Sequence, residues 1–65
     1  MVKFIGDSFW TEVWKNGMIR RDYKVMKNRK FNIGIWAGVE SVVTSKGEWI
    51  CDTDSEFFKE NFQVL

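Results

Sequence analysis

Residues 30–52 read KFNIGIWAGVESVVTSKGEWICD, and the periodicity of this stretch decides the fold class. Phe31, Ile33 and Ile35 alternate with Asn32, Gly34 and Trp36, the two-residue period of a strand with one buried face. Ala37-Gly38 interrupts the alternation, and Val39 to Thr44 resumes it with β-branched side chains. Ser45-Lys46-Gly47 supplies a turn whose glycine is free to take positive φ, and Glu48 to Cys51 makes another short strand. The pattern predicts a three-stranded antiparallel meander, the smallest sheet that holds a core. Phe31, Ile33 and Ile35 are expected on its buried face.

Outward from that stretch, the N-terminal side starts with a short apolar run, Val2 to Ile5, which reads as an edge strand closed by Gly6-Asp7. Phe9, Trp10, Val13 and Trp14 then recur at helical spacing, with Thr11, Glu12 and Lys15 opposite them. Asp7 or Ser8 can cap such a helix and Asn16-Gly17 can stop it, so a helix is expected over 8–16 with Trp10 and Trp14 in the core. The competing reading makes Asn16-Gly17 a hairpin turn between two strands. Trp10, Glu12 and Trp14 would then share one face, and Phe9, Thr11 and Val13 the other. Asp22 to Lys27 reads as a strand, and Asn28-Arg29 as a two-residue turn that makes it the antiparallel neighbour of the strand beginning at Lys30. On the C-terminal side, Thr53 and Glu56 have capping-box spacing for a helix over 54–62 that presents Phe57, Phe58 and Phe62. Gln63-Val64-Leu65 can return as a terminal strand.

A chain of 65 residues makes one domain, near the lower size limit for a core without staples. Four Trp and six Phe suit that limit, because aromatic rings bury the most area per residue ordered. The lone Cys51 cannot form an internal disulfide and reads as a small buried hydrophobe in a reducing cytosol. No apolar run is long enough for a membrane span or a secretory leader. The sequence has no histidine, which removes His-based acid–base chemistry, serine triads and His metal ligation. One thiol cannot build a thiolate metal site, and no glycine pattern matches a phosphate loop. Asp52 and Asp54 have a D-x-D spacing but lack the glycine and glutamate of a calcium loop.

Charge is nearly balanced at +1 but unevenly placed. Arg20, Arg21, Lys24, Lys27, Arg29 and Lys30 crowd one segment against Asp22. Glu48, Asp52, Asp54, Glu56 and Glu60 gather later against Lys59. The basic segment next to an outward Trp36 has the composition of a protein-binding hot spot, and the same ridge could contact phosphates while Tyr23 or Trp36 stacks bases.

The C-terminal third, KGEWICDTDSEFFKENFQVL, resembles a motif that closes many small phage-encoded proteins of uncharacterised function. Gly47, Glu48, Trp49, Ile50, Phe58 and Phe62 occupy its positions. The resemblance implies a phage or prophage origin and a short α+β fold, and no catalytic residue.

The expectation is therefore an α+β single domain over 1–65. A small antiparallel sheet of three to five strands, its core meander at about 22–51, is flanked by short helices at about 8–16 and 54–62. The expected function is non-enzymatic protein binding, as a cytoplasmic phage-type accessory or inhibitor that occludes a surface of a host protein. Arg20, Arg21, Lys24, Arg29 and Trp36 are its candidate contacts, with Asp52, Asp54 and Glu56 as a second patch. No cofactor, metal or membrane is expected. A nucleic-acid-binding module using 20–30 is the alternative, and a homo-oligomer subunit without an external partner the third reading.

Overall fold

The structure, a computed structural model, describes residues 1–15 and 19–65. The strands are β1 (Val2–Phe4), β2 (Phe9–Lys15), β3 (Ile19–Val25), β4 (Lys30–Trp36), β5 (Val39–Val43) and β6 (Trp49–Asp52). A short helix α1 (Glu56–Asn61) follows, and β7 (Phe62–Val64) ends the order. All seven strands join one sheet in the order β3-β2-β6-β5-β4-β1-β7, and every pairing is antiparallel.

The fold class differs from the sequence-based expectation: this is a seven-stranded sheet with a single six-residue helix among the described residues. Residues 9–15, expected as a helix, are β2, paired with β3 from Phe9↔Val25 to Lys15↔Ile19. The expected stop or turn at Asn16-Gly17 lies outside the described residues. Helical spacing misleads here because large apolar side chains stand on both faces of β2. Phe9, Thr11 and Val13 point to the core, while Trp10 and Trp14 find partners on the other side, so no clean apolar–polar division marks the strand.

The turn over 26–29 also departs from expectation. The Arg29 N–H donates to Met26 O at 3.1 Å, and Asn28 takes φ +71°, which a short polar side chain tolerates. Yet β3 and β4 are not neighbours. The turn instead meets the end of β1: Phe4 N–H donates to Arg29 O and Asn28 N–H to Phe4 O, at 2.9 and 2.8 Å. Accordingly β1 is no edge; it lies between β4 and β7.

The sheet is rolled. Four strand spacings of about 4.8 Å would separate flat neighbours by about 19 Å. Phe4 of β1 and Phe9 of β2 stand four places apart in the order, yet their ring centroids are 5.7 Å apart. Tyr23 of β3 and Phe31 of β4, equally distant along the sheet, are 6.5 Å apart. Inside the roll lie Phe4, Phe31 and Phe62 with Val2, Val13, Val25, Val42, Ile50 and Cys51, and the half-buried Phe9, Phe57 and Phe58 pack against them. Phe62 touches Phe4, Phe31, Phe57 and Phe58 at centroid distances of 5.3 to 6.2 Å.

Phe31 is buried as expected, but Ile33 is 36% and Ile35 72% exposed. Strand β1 is three residues long and pairs with β4 only at Lys30 and Phe31. The rest of the β4–β5 hairpin projects past the core: Ile33 lines a shallow pocket with Met1, Phe58 and Val64 at its margin, and Ile35 stands largely in solvent.

Two hairpin turns account for the central register. Ala37 and Gly38 have φ of +50° and +79° between the paired Trp36 and Val39, the two-residue turn with positive φ at both central positions. Gly47, at φ +78°, follows a turn closed by its own N–H on Thr44 O at 2.9 Å. Helix α1 is capped by Ser55, whose hydroxyl accepts from the Phe58 N–H at 3.2 Å. Thr53, the expected cap, bonds Glu40 instead; its capping box with Glu56 does not form.

Candidate functional site

The register places all four tryptophans on the outer face of the sheet, opposite the phenylalanines. Val13 is fully buried, so Trp10, Glu12 and Trp14 point the other way along β2. Trp14 pairs with Trp49, Trp49 with Val43, and Val39, two alternations from Val43, with Trp36. The Trp36 and Trp49 rings are 5.7 Å apart, over a buried Val43 and Ser41. Indole rings suit this outer layer because their N–H groups require partners. The Trp49 N–H donates to Asp52 Oδ1 at 3.0 Å. That of Trp36 is buried with no hydrogen-bond partner among the described residues.

Cations from β3 flank the tryptophans of β2. Lys24 lies opposite Trp10 with its ammonium 5.9 Å from the ring centroid, and Arg20 opposite Trp14 with its guanidinium at 5.6 Å. Each such contact at an exposed site contributes about 0.5–1 kcal/mol and holds a large ring in place. Glu12 and Asp22, paired between them, balance the two charges, and Arg20 Nε sits 3.3 Å from Glu12 Oε2. Trp10 is 67% exposed.

Of the expected contacts, Arg20, Lys24 and Trp36 therefore share this face. Arg21 does not. It alternates inward and meets the buried Glu48 in a two-point ion pair, Nε to Oε2 at 2.9 Å and Nη2 to Oε1 at 2.7 Å, while its guanidinium lies 5.2 Å from the Tyr23 ring. Burial pushes the Glu48 carboxyl up, but hydrogen bonds from Arg21 and Thr44, with the charges of Arg21 and Lys46, outweigh it and hold it below its ordinary value. Arg21 is thus a structural tie between β3 and the start of β6. Arg29 sits in the exposed turn, its Nη1 donating to the Tyr23 hydroxyl at 3.1 Å.

The second expected patch is divided. Asp52 is occupied by Trp49 and by the Ser41 hydroxyl, the latter at 3.4 Å. Asp54 and Glu56 are exposed, Glu56 facing Lys59 at 3.9 Å. Among the described residues no group of three or more His, Cys, Asp or Glu is placed to hold a metal ion, and no helix is long and apolar enough to cross a membrane. Burial pushes the Cys51 thiol up to about 11, with the Asp52 charge adding and a Ser55 hydrogen bond opposing, so the sulfur stays protonated at neutral pH.

Sequence reasoning missed Trp10, Trp14 and Trp49 as members of this face. The strict alternation Trp10-Glu12-Trp14 against Phe9-Thr11-Val13 was the available signal. No protein-family model matches the chain, and searches of curated proteins and of solved structures return no match.

Proposed function

We propose that this chain is a non-enzymatic protein-binding module that occludes a surface of its partner, in the manner of a phage-type accessory or inhibitor, through the outer tryptophan face. One observation carries the reading: four indoles share the face that the core does not use, and the most exposed, Trp10, is braced by a cation. Large rings pre-positioned at low entropic cost, with arginine beside them, are the side chains that dominate protein–protein affinity. A stable contact of about 800 Å² per partner requires about a fifth of the chain's 4367 Å².

Charge favours a protein over a nucleic acid on this face. Glu12 and Asp22 stand between Arg20 and Lys24 in the same ladder, and a row of phosphates would meet that repulsion. We place the action in the cytoplasm, where a lone thiol stays reduced. The test is affinity capture by the tagged chain, with and without nuclease, beside Trp10→Ala and Trp10→Ala/Lys24→Ala variants whose folding is checked by circular dichroism. A nuclease-resistant partner retained by wild type and lost from both variants supports the reading. A nuclease-sensitive, salt-sensitive retention that survives Trp10→Ala refutes it, as does self-association that buries Trp10.

A further inference from the structure

A second site lies where the sheet comes apart. Strand β2 is paired with β3 along its whole length, but with β6 only at Trp14↔Trp49. Beyond that bridge the two strands diverge. The cause is in β6. One step on β5, Val43 to Val42, is matched by two on β6, Trp49 to Cys51, so Ile50 is a bulge residue. A bulge bends its strand and adds twist, and here it turns both Ile50 and Cys51 toward the core, where they are buried. Bending β6 toward the core leaves a cleft of about 490 Å³ between it and β2, lined by Phe9, Thr11, Ile50, Cys51, Asp52 and Phe57 among others. Its size is that of a ligand cleft, about 300–1,000 Å³.

Two features define what fits. Both long walls are strand edges: β2 from Phe9 to Val13 and β6 at Ile50 and Cys51 have no ladder partner on the sides that face each other, while the Asp52 carbonyl already accepts from the Ser55 N–H and hydroxyl. Alternating N–H and C=O groups along an edge are matched over several residues only by another extended backbone. The floor is apolar, from Phe9, Ile50 and Phe57, while the one ionisable charge at neutral pH is the carboxylate of Asp52, with no cation in the lining.

We propose that this cleft binds an extended polypeptide segment of a partner, paired as an added strand, with an apolar side chain on Phe9, Ile50 and Phe57 and a Lys or Arg beside Asp52. Trp10 is not part of this cleft, although Trp49, whose N–H holds Asp52, lines it and joins it to the outer face; the proposal does not depend on Trp10 engaging a partner. The Asp52 carboxylate disfavours an acidic or phosphorylated segment. Cys51 contributes an apolar wall and no covalent chemistry.

The probe is a random heptapeptide display library panned on the wild-type chain, followed by amide hydrogen exchange with a selected synthetic peptide. The expected peptides carry an apolar residue next to Lys or Arg. At saturation they slow exchange of amides within 9–13 and 50–52 by about tenfold or more. Thr11→Arg, which puts bulk and positive charge into the cleft, weakens them by about tenfold or more, whereas Trp10→Ala leaves them bound. Enrichment of no peptide, a footprint confined to the free edge of β3 or to Trp10 and Trp14, or filling of the cleft by free indole without slowed amides overturns the proposal. The footprint is read on the wild-type chain, so a misfolded variant does not obscure it.

Discussion

Replacing Arg21 with alanine is expected to change both the size and the pH dependence of stability. Glu48 is 4% exposed, and the guanidinium supplies two of its charge-assisted hydrogen bonds; Thr44 Oγ1 supplies another at 3.0 Å. Removing one partner of a fully buried pair costs about 3–5 kcal/mol. The Arg21 side chain is 43% exposed, so water replaces part of its interaction, and the expected loss at pH 7 is about 2–3 kcal/mol. A 65-residue chain has about 3–10 kcal/mol in all. In the wild type the folded-state pKa of Glu48 is depressed. Its contribution is therefore fully present above the unfolded value of about 4.3 and is lost as pH falls through the folded one. Without Arg21 its hydrogen bonds and charge no longer offset burial, so the folded-state pKa rises, with only Thr44 and Lys46 left to hold it down. The stability that ionised Glu48 contributes above that window is then largely lost, and the deficit grows as pH climbs through it. Urea unfolding at pH 3.5, 5 and 7, followed by tryptophan fluorescence, should show the Arg21→Ala deficit shrinking toward acid and Glu48→Gln cancelling most of it in the double variant. A deficit constant within about 0.5 kcal/mol across that range would refute the ion-pair account.

The two central turns give opposite signs for substitutions at similar backbone angles. Ala37→Asn should stabilise by about 0.5–1 kcal/mol, since Asn tolerates the left-handed region that alanine occupies under strain, while Gly47→Ala should cost about 1–2 kcal/mol; thermal melts measure both. Trp36→Phe keeps a ring against Trp49 and removes a buried, unpaired N–H, so chemical unfolding should find it neutral or up to about 1 kcal/mol more stable. Phe4→Ala empties a 1% exposed site touching three other phenylalanines, at about 3–5 kcal/mol. Circular dichroism at 25 °C should find that variant largely unfolded.

The elements legible in the sequence were those set by short-range chemistry. Phe31 on a buried face, the glycine turn at 47 and an aromatic helix near the end follow from period and backbone angle. What stayed hidden depends on partners far along the chain. Trp14 is outward because Trp49 and Arg20 meet it there; the alternation within 9–14 puts Trp10 and Trp14 on one face but does not record which face the core uses. Arg21 has the composition of a surface contact until the alternation of β3 brings it to Glu48, 27 positions away. Ile33 and Ile35 have the right period for a core, but the length of β1, not their own spacing, determines how far the core extends.

The pairing of β1 with β7 brings Val2 opposite Val64, with Leu65 N–H on Met1 O at 3.1 Å. Nearly the whole length of polypeptide thus separates two strands that must meet before the phenylalanines inside are sealed from water. Such non-local closure slows assembly into the range of about milliseconds to seconds, and a chain still lacking Phe62 has a gap in its interior. It also puts residues 1 and 65 side by side, so a short linker between them and new ends cut in the exposed 45–46 turn should yield the same sheet from a rearranged order of synthesis.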